Sequence, residues 1–447
     1  MRIKALKMIT KKILFFLLLI GFQLSAQDKK WTLEECVDYA IQNNISIKQS
    51  ELNLKTSEID NLEAIGGFLP TLNGNANYSM NTGASINPVT NQFQNETFKS
   101  MSAGANSSLM LFNGLANWKT LQRAKLSKIA NTYSLDKMKD DVALSIANSY
   151  LQILFNKEQL KVQKNQNLIT KENINRTQEL IQAGSLPAGD IYELQATDAS
   201  QQQQIVNTEN ALLISKIALC QTLLLEDYVN FDISDEVIDL PMTNIANETQ
   251  EAILEKARES VKDVKIAMSN VDVAKKDVAL SRSSYLPTLT GFLGYNTRWA
   301  ESIPLNFMDQ LTLFDGTAIG LQLNVPILNG FATRGRVQRA KINQERSEFQ
   351  LKQAELDLER NVYQAYNDVI NAKKSFEAAQ KTLDARKQSF NFSKERFEVG
   401  LMNSFDFSQS SLAYENAQSE VLRTKYDYIF RTKILEFYFG IPLIKKQ

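Results

Sequence analysis

The sequence predicts a mainly α chain with a membrane β-barrel, an internally duplicated protomer of two strand pairs and very long coiled-coil helices. Three observations predict it. From Ile319 the apolar residues Ile319, Leu321, Leu323, Val325 and Ile327 alternate with Gly320, Gln322, Asn324 and Pro326, the period of a strand with one oily and one wet face. At Asn329-Gly330 the alternation stops and a helical pattern begins. The same junction occurs earlier, with Asn113-Gly114, and both copies run on into Gln-Arg-Ala-Lys. From Ala116 to Gln182 there is neither Pro nor Gly, enough for a helix about 100 Å long.

The duplication has a nearly constant offset. Leu69-Pro70-Thr71-Leu72 recurs as Leu286-Pro287-Thr288-Leu289, 217 positions on, and Asn113-Gly114 recurs 216 positions on. Gly184 with Asp190 matches Gly400 with Asp406, again at 216. We assign residues 27–240 to the first repeat and 241–447 to the second, interleaved into one sheet and one helical body. A period this long is a duplicated half-protein and not a solenoid unit.

The elements follow in order. Residues 1–26 read as a signal peptide, basic and then apolar through ILFFLLLIGF, with Ala26 the expected last residue before cleavage. Trp31–Asn44 reads as a short amphipathic helix with Thr32 and Glu35 at capping-box spacing. Ile47–Glu63 continues as helix to Gly66-Gly67. Leu72–Tyr78 is the first strand, and its Asn73, Asn75 and Asn77 suit a water-filled interior better than a polar loop. Gly83–Ser100 reads as polar loop and Ala105–Leu111 as the second strand. The tip AGSLPAGD separates the long helix from a returning helix, Ile191–Leu225, and Glu226–Glu248 links the copies. In the second copy, Gln250–Ser284 is helical and Thr288–Arg298 is a strand. Trp299–Gly316 is an aromatic-bearing loop. The long helix from Thr333 carries the seam Val362, Ala365, Val369, Ala372, Phe376, Ala379 and Leu383 at alternating spacings of 3 and 4. Gly400 opens the second tip, and Phe405–Phe439 is the last helix.

Composition excludes several functions. The chain has 447 residues with 50 Lys+Arg and 50 Asp+Glu. Without the signal, which holds five bases, the balance is 45 to 50, a net charge of −5, and no basic stripe invites nucleic acid. There is no His, which removes imidazole catalysis and most zinc and copper sites. Cys36 and Cys220 read as buried small hydrophobes or free thiols. No cofactor, metal or catalytic residue is expected. Four strands cannot close a barrel, and an open edge in lipid strands backbone polar groups at several kcal/mol each. A barrel therefore requires further copies: two chains give eight strands and three give twelve.

The paired strand–Asn-Gly–helix junctions, the tips AGSLPAGDIYELQA and VGLMNSFDFSQSSLA and the doubled element order resemble the TolC-like outer-membrane efflux protein family, the outer membrane factors of tripartite efflux and type I secretion. The resemblance implies a homotrimeric passive channel with a 12-stranded barrel in outer-membrane lipid and an α-helical periplasmic barrel. It also implies gating at the tips and docking to a periplasmic adaptor that leads to an inner-membrane pump. By the resemblance, Gly184, Ser185, Leu186, Pro187, Gly400 and Leu401 belong to the docking tips. Asp406 matches an acidic entrance position, whereas the second such position holds Gln409. Asp190 matches an acidic latch whose basic partner is here Met402, and the aromatic latch position holds Phe397, which lacks a hydroxyl. Helix capping is the plainer reading of Asp190 and Asp406. Two other classes compete with the channel. A soluble periplasmic coiled-coil scaffold or adaptor leaves the strands unexplained, and an exported enzyme lacks a nucleophile set.

Overall fold

The computed structural model describes residues 30–86, 90–235, 245 and 248–441. The signal peptide, most of the Pro241 segment of the linker and the tail beyond Ile441 lie outside the described residues. The described elements are β1 (Lys30–Trp31), α1 (Leu33–Asn43), α2 (Ile45–Gly66), β2 (Thr71–Ile86), β3 (Phe93–Asn113), α3 (Ala116–Gln182), α4 (Asp190–Leu223) and β4 (Asp232–Ile233). They continue as α5 (Gln250–Ser260), α6 (Lys262–Ser283), β5 (Thr288–Ala300), α7 (Phe307–Leu313), β6 (Gly316–Asn324), α8 (Ala332–Glu398) and α9 (Ser404–Tyr438). α3 and α8 each have 67 residues. No helix among the described residues is long and apolar enough to cross a membrane. The chain divides into two compact units, and each draws on both halves of the sequence.

The first unit comprises residues 1–49, 137–261 and 357–447. Thr32 caps α1, its hydroxyl accepting from Glu35 N at 3.2 Å while the Glu35 carboxylate accepts from Thr32 N at 3.0 Å. The expected seam on α8 is buried from Val362 to Ala379. Phe376 stacks on Tyr428 of α9 at 6.4 Å. The linker contributes an element the pattern hid: β4 pairs in parallel with β1, Lys30 opposite Asp232. Charges pin it. Lys157 reaches Asp232 at 2.8 Å and Asp235 at 2.7 Å, Lys216 reaches Asp232 at 2.9 Å, and Lys30 also pairs with Asp235. Burial alone would raise the Asp232 carboxyl; the hydrogen bonds and charges of Lys157 and Lys216 outweigh it and hold the group below the usual range. Cys36 and Cys220 are buried thiols and form no disulfide, and burial pushes the Cys220 thiol up to about 11.

The second unit comprises residues 50–136 and 262–356. Its sheet has the order β2-β3-β5-β6, antiparallel throughout, so strands from both halves meet at β3–β5. The expected loop 83–100 is mostly strand. β2 and β3 stay paired out to Ile86 and Phe93, held by cross-strand hydroxyl pairs, Ser79–Ser100 at 2.8 Å and Thr82–Thr97 at 3.0 Å. Hydrophobic alternation was the wrong signal there, because a ladder with two wet faces needs none. The loop 299–316 holds α7, and β6 begins at Gly316 and ends at Asn324, so Val325 and Ile327 lie past the strand. At both strand–helix junctions two successive residues take positive φ, Gly114 with Leu115 and Gly330 with Phe331. Asn113 serves the new helix instead: its Oδ1 accepts from Asn117 N at 3.3 Å.

Candidate functional site

Within the first unit, the two tips end their helices in the same way. Ser185 N donates to Leu180 O at 2.9 Å and Leu401 N to Arg396 O at 2.8 Å, the six-to-one bond of a Schellman turn. Gly184 and Gly400 stand at φ +73° and +78°, where a Cβ is strained. Ser185, Pro187 and Leu401 are exposed and Leu186 is half-buried.

The returning helices begin differently. Asn403 caps α9, its Oδ1 accepting from Asp406 N at 2.8 Å while its amide donates to Asp406 Oδ2 at 2.9 Å. Asp406 therefore occupies the first turn and is not the cap. α4 starts after Gly189 with no side-chain cap, and Asp190 is its first residue. Capping by these two aspartates is thus corrected, since neither sits at the cap position. Asp406 and Gln409 are exposed and Asp190 is half-buried.

Phe397 is not on the surface. It is 1% exposed and stacks on Phe407, while Phe390 stacks on Tyr414 at 5.1 Å. Leu194 completes the cluster, and Met402 packs against it. So Phe397 lies in the dry interior of the tip with Met402 half-buried against it, while Asp406 and Gln409 stay in water. Gln409 also lines a cleft of about 230 Å³ with Glu193, Thr197, Gln201 and Ser408.

Behind this cluster the seam of α3 turns polar, a feature missed in the sequence. Gln163, Gln166, Asn167, Thr170, Asn173 and Thr177 are all buried. Gln166 donates to Ser411 and Asn167 to Asp198 at 2.7 Å. Gln201 Nε2 donates to Glu415 Oε2 at 3.0 Å. Burial raises the Glu415 carboxyl above the usual range, against the opposing hydrogen bond from Gln201. The seam's members Gln163, Asn167, Thr170, Asn173 and Thr177 keep the spacings of 3 and 4 of a packed helix face.

Within the second unit, the sheet sorts its residues by face. Directly opposed residues share a face. Asn75, Gly104, Asn296 and Gly316 form one polar row across all four strands, with Asn73, Asn106 and Gly294 in the next. Asn73, Asn75 and Asn77 therefore share their face with Asn106 and Asn296. Gly104 lets the strands approach, since a Cβ there would lie 2.8 Å from Tyr295 O. The other face carries Leu72, Tyr78, Leu293, Tyr295, Trp299, Ile319, Leu321 and Leu323. Tyr78, Met101 and Trp299 share a row, and Trp299 packs on Phe307 at 5.8 Å. Leu72 and Ile319 are 76% and 83% exposed, so the described residues leave this oily face bare there.

A sheet with one wet and one oily face, continued into rod-length helices, defines an outer-membrane channel protein. The family model for outer membrane efflux proteins matches residues 36–223 and 253–439, and the chain belongs to that family, whose members are outer-membrane channels extending into the periplasm and not enzymes. It is 23% identical over 382 residues to outer membrane protein TolC of Vibrio cholerae, covering 85% of this chain and 83% of TolC. It is 31% identical to protein CyaE of Bordetella pertussis over 152 residues, 33% of this chain and 30% of CyaE. Among solved structures, VceC of Vibrio cholerae matches with a TM-score of 0.75 at 14% identity, over 91% of this chain and 96% of VceC. The CmeC channel of Campylobacter jejuni matches with a TM-score of 0.75 at 18% identity, over 91% and 85%. These two likenesses are ones of fold.

Proposed function

We propose that this efflux-family protein is a passive trimeric duct whose copies share one 12-stranded barrel and one helical tunnel. The observation that carries the reading is the four-stranded sheet with bare edges at β2 and β6 and opposed wet and oily faces. In lipid, every backbone polar group needs a partner, and neighbouring copies supply them. The polar rows of Asn73, Asn75 and Asn77 then face the lumen, and the two repeats each contribute one strand pair and one helix pair to the shared walls. The tips, with Gly184, Ser185, Leu186, Pro187, Gly400 and Leu401, form the periplasmic entrance and dock to a membrane-fusion adaptor that connects to an inner-membrane pump. Asp406 supplies the ring of charge at that entrance, with Gln409 neutral beside it. Asp190 flanks it, and Phe397 and Met402 brace the tip from inside.

A soluble scaffold would leave Leu72, Ile319 and Leu321 in water with no compensation, which favours the channel. Light scattering of the detergent-extracted protein should return the mass of three chains. Single-channel recording of Asp406→Ala should then show altered block by multivalent cations; an unchanged blocking curve removes Asp406 from the entrance.

A further inference from the structure

Where the strands give way to the helices, the wet face of the sheet runs into a cavity of about 450 Å³. Asn113, Thr288 and Asn324 line it from the sheet; they are directly opposed on β3, β5 and β6, so they share the face of the Asn rows. Ser281 and Ser284, around the end of α6, and Arg336, near the start of α8, line it from the helices. Pro326 also lines the cavity, while Ile327 and Leu328 lie outside it, each 92% exposed.

The unspent chemistry in this cavity is one-sided. Arg336 spends one N–H on Thr333 Oγ1 at 3.2 Å, and Thr333 is fully buried, so the exposed guanidinium has a fixed footing. Among the described residues Arg336 has no carboxylate partner, and its remaining donors are unused. The hydroxyls of Ser281, Ser284 and Thr288 and the Asn324 amide likewise make no hydrogen bond among the described residues. No Asp or Glu lines the cavity. α8 has no acid before Glu345 and α3 none before Asp136, and Asp277 on α6 is taken by Arg123 at 2.5 Å. Behind the lining, Lys119 donates to Ser283 Oγ at 2.8 Å and to Gly114 O at 3.3 Å, again without a carboxylate. Along the wet face of β5 the first charged residue is another base, Arg298.

An unpaired guanidinium among hydroxyls and amides, with no acid in the lining, attracts anions and repels cations. The volume falls within the range of about 300–1,000 Å³ typical of small-molecule sites, and Leu280 and Leu286 add apolar surface to the lining. We propose that this cavity is an anion station in the wall of the duct, holding small organic carboxylates, sulfonates or phosphate esters in transit. Arg336 takes the charged oxygens, the hydroxyls of Ser281, Ser284 and Thr288 and the Asn324 amide take further polar atoms, and Leu280 and Leu286 cover a short apolar part. Three copies set three guanidiniums in a ring, the arrangement that favours anions in a pore. The inference rests on the trimeric-duct reading and adds to it the chemical class of cargo that the wall favours.

Single-channel recording of the full-length protein in phosphatidylcholine bilayers tests this. Benzenesulfonate, added on the barrel side, is the anionic probe, and phenyltrimethylammonium is a cation of similar size. Benzenesulfonate should block the KCl current, and its half-blocking concentration should rise about tenfold in Arg336→Gln. Arg336→Lys should recover part of that loss, because the charge returns without the planar fork. Ser284→Ala with Thr288→Val should raise the half-blocking concentration about threefold. Phenyltrimethylammonium should act on the parent and Arg336→Gln alike. In a KCl gradient, Arg336→Glu should move the reversal potential toward that of potassium. A benzenesulfonate block that is absent, or equal in the parent and Arg336→Gln, overturns the station while the current itself upholds the duct. A trimer that passes no current overturns both. An effect of Arg336→Gln that appears only when phosphatidylglycerol is added to the bilayer assigns the guanidinium to a lipid headgroup and overturns the transit site.

Discussion

Phe397 and Phe407 stack face to face, their ring centroids 4.5 Å apart and their planes 12° from parallel. One ends α8 and the other begins α9, so the pair clamps the two helices across the turn at Gly400. Phe407→Ala leaves a cavity between buried rings and should cost about 3–5 kcal/mol. The loss falls on the tip. Limited proteolysis should cut near residues 395–410 and single-channel conductance should rise, while trimer yield holds. Protease resistance equal to that of the parent would remove the clamp.

Glu415 is 3% exposed, and burial raises its carboxyl. The folded chain therefore holds that proton more tightly than the unfolded chain. The stability so gained is full below the unfolded value and is lost as pH rises through the folded one. Glu415→Gln keeps a hydrogen-bonding partner for Gln201 without the charge. We expect it to melt higher than the parent at about pH 7.5, with the gap closing toward about pH 4. Thermal scans at both values check this, and a pH-independent gap contradicts it.

Asp232 behaves in the opposite sense. Its lowered carboxyl stabilises the fold above the unfolded carboxylate value, and that stability is lost as pH falls through the folded value. Lys157→Met removes one of its two lysines and one ligand of Asp235. We expect a loss of about 1–3 kcal/mol and detachment of β4 from β1. Faster amide exchange at Ile233 and Ser234, whose N–H bonds to Trp31 O at 2.8 Å, reports it.

Gly400→Val forces a β-branched residue to φ +78°, at a cost of about 1–3 kcal/mol. The turn deforms while the sheet, lying in the other unit, does not. Trimer mass should stay unchanged while adaptor capture and efflux fall, and Gly184→Val should act alike. Normal efflux in both variants argues against docking at the tips.

Much of this fold was legible because its helices are long and their breakers few. Gly184 and Gly400 marked the tip turns, and the Val362–Ala379 seam is buried as spaced. The apolar alternation from Ile319 to Leu323 marked one oily strand. The sequence misled where polar residues do structural work. Thr82 and Thr97 pair across a ladder that reads as loop, and Asn167 and Gln166 fill a helical seam that reads as solvated surface. Of the site residues, Asp406 and Gln409 are exposed at the second tip, while Phe397 lies inside it. An aromatic ring reads the same in a sequence whether it faces water or another ring.

The uncovered stretch at Ile327 and Leu328 also bears on how the protein is made. Between export and entry into lipid, each nascent copy carries a greasy ribbon and two unzipped borders through an aqueous compartment. Such a ribbon is a template for tangling with any stray strand. Biogenesis is thus a race between membrane insertion and aggregation, so yield should fall with synthesis rate and recover when a holdase shields the ribbon.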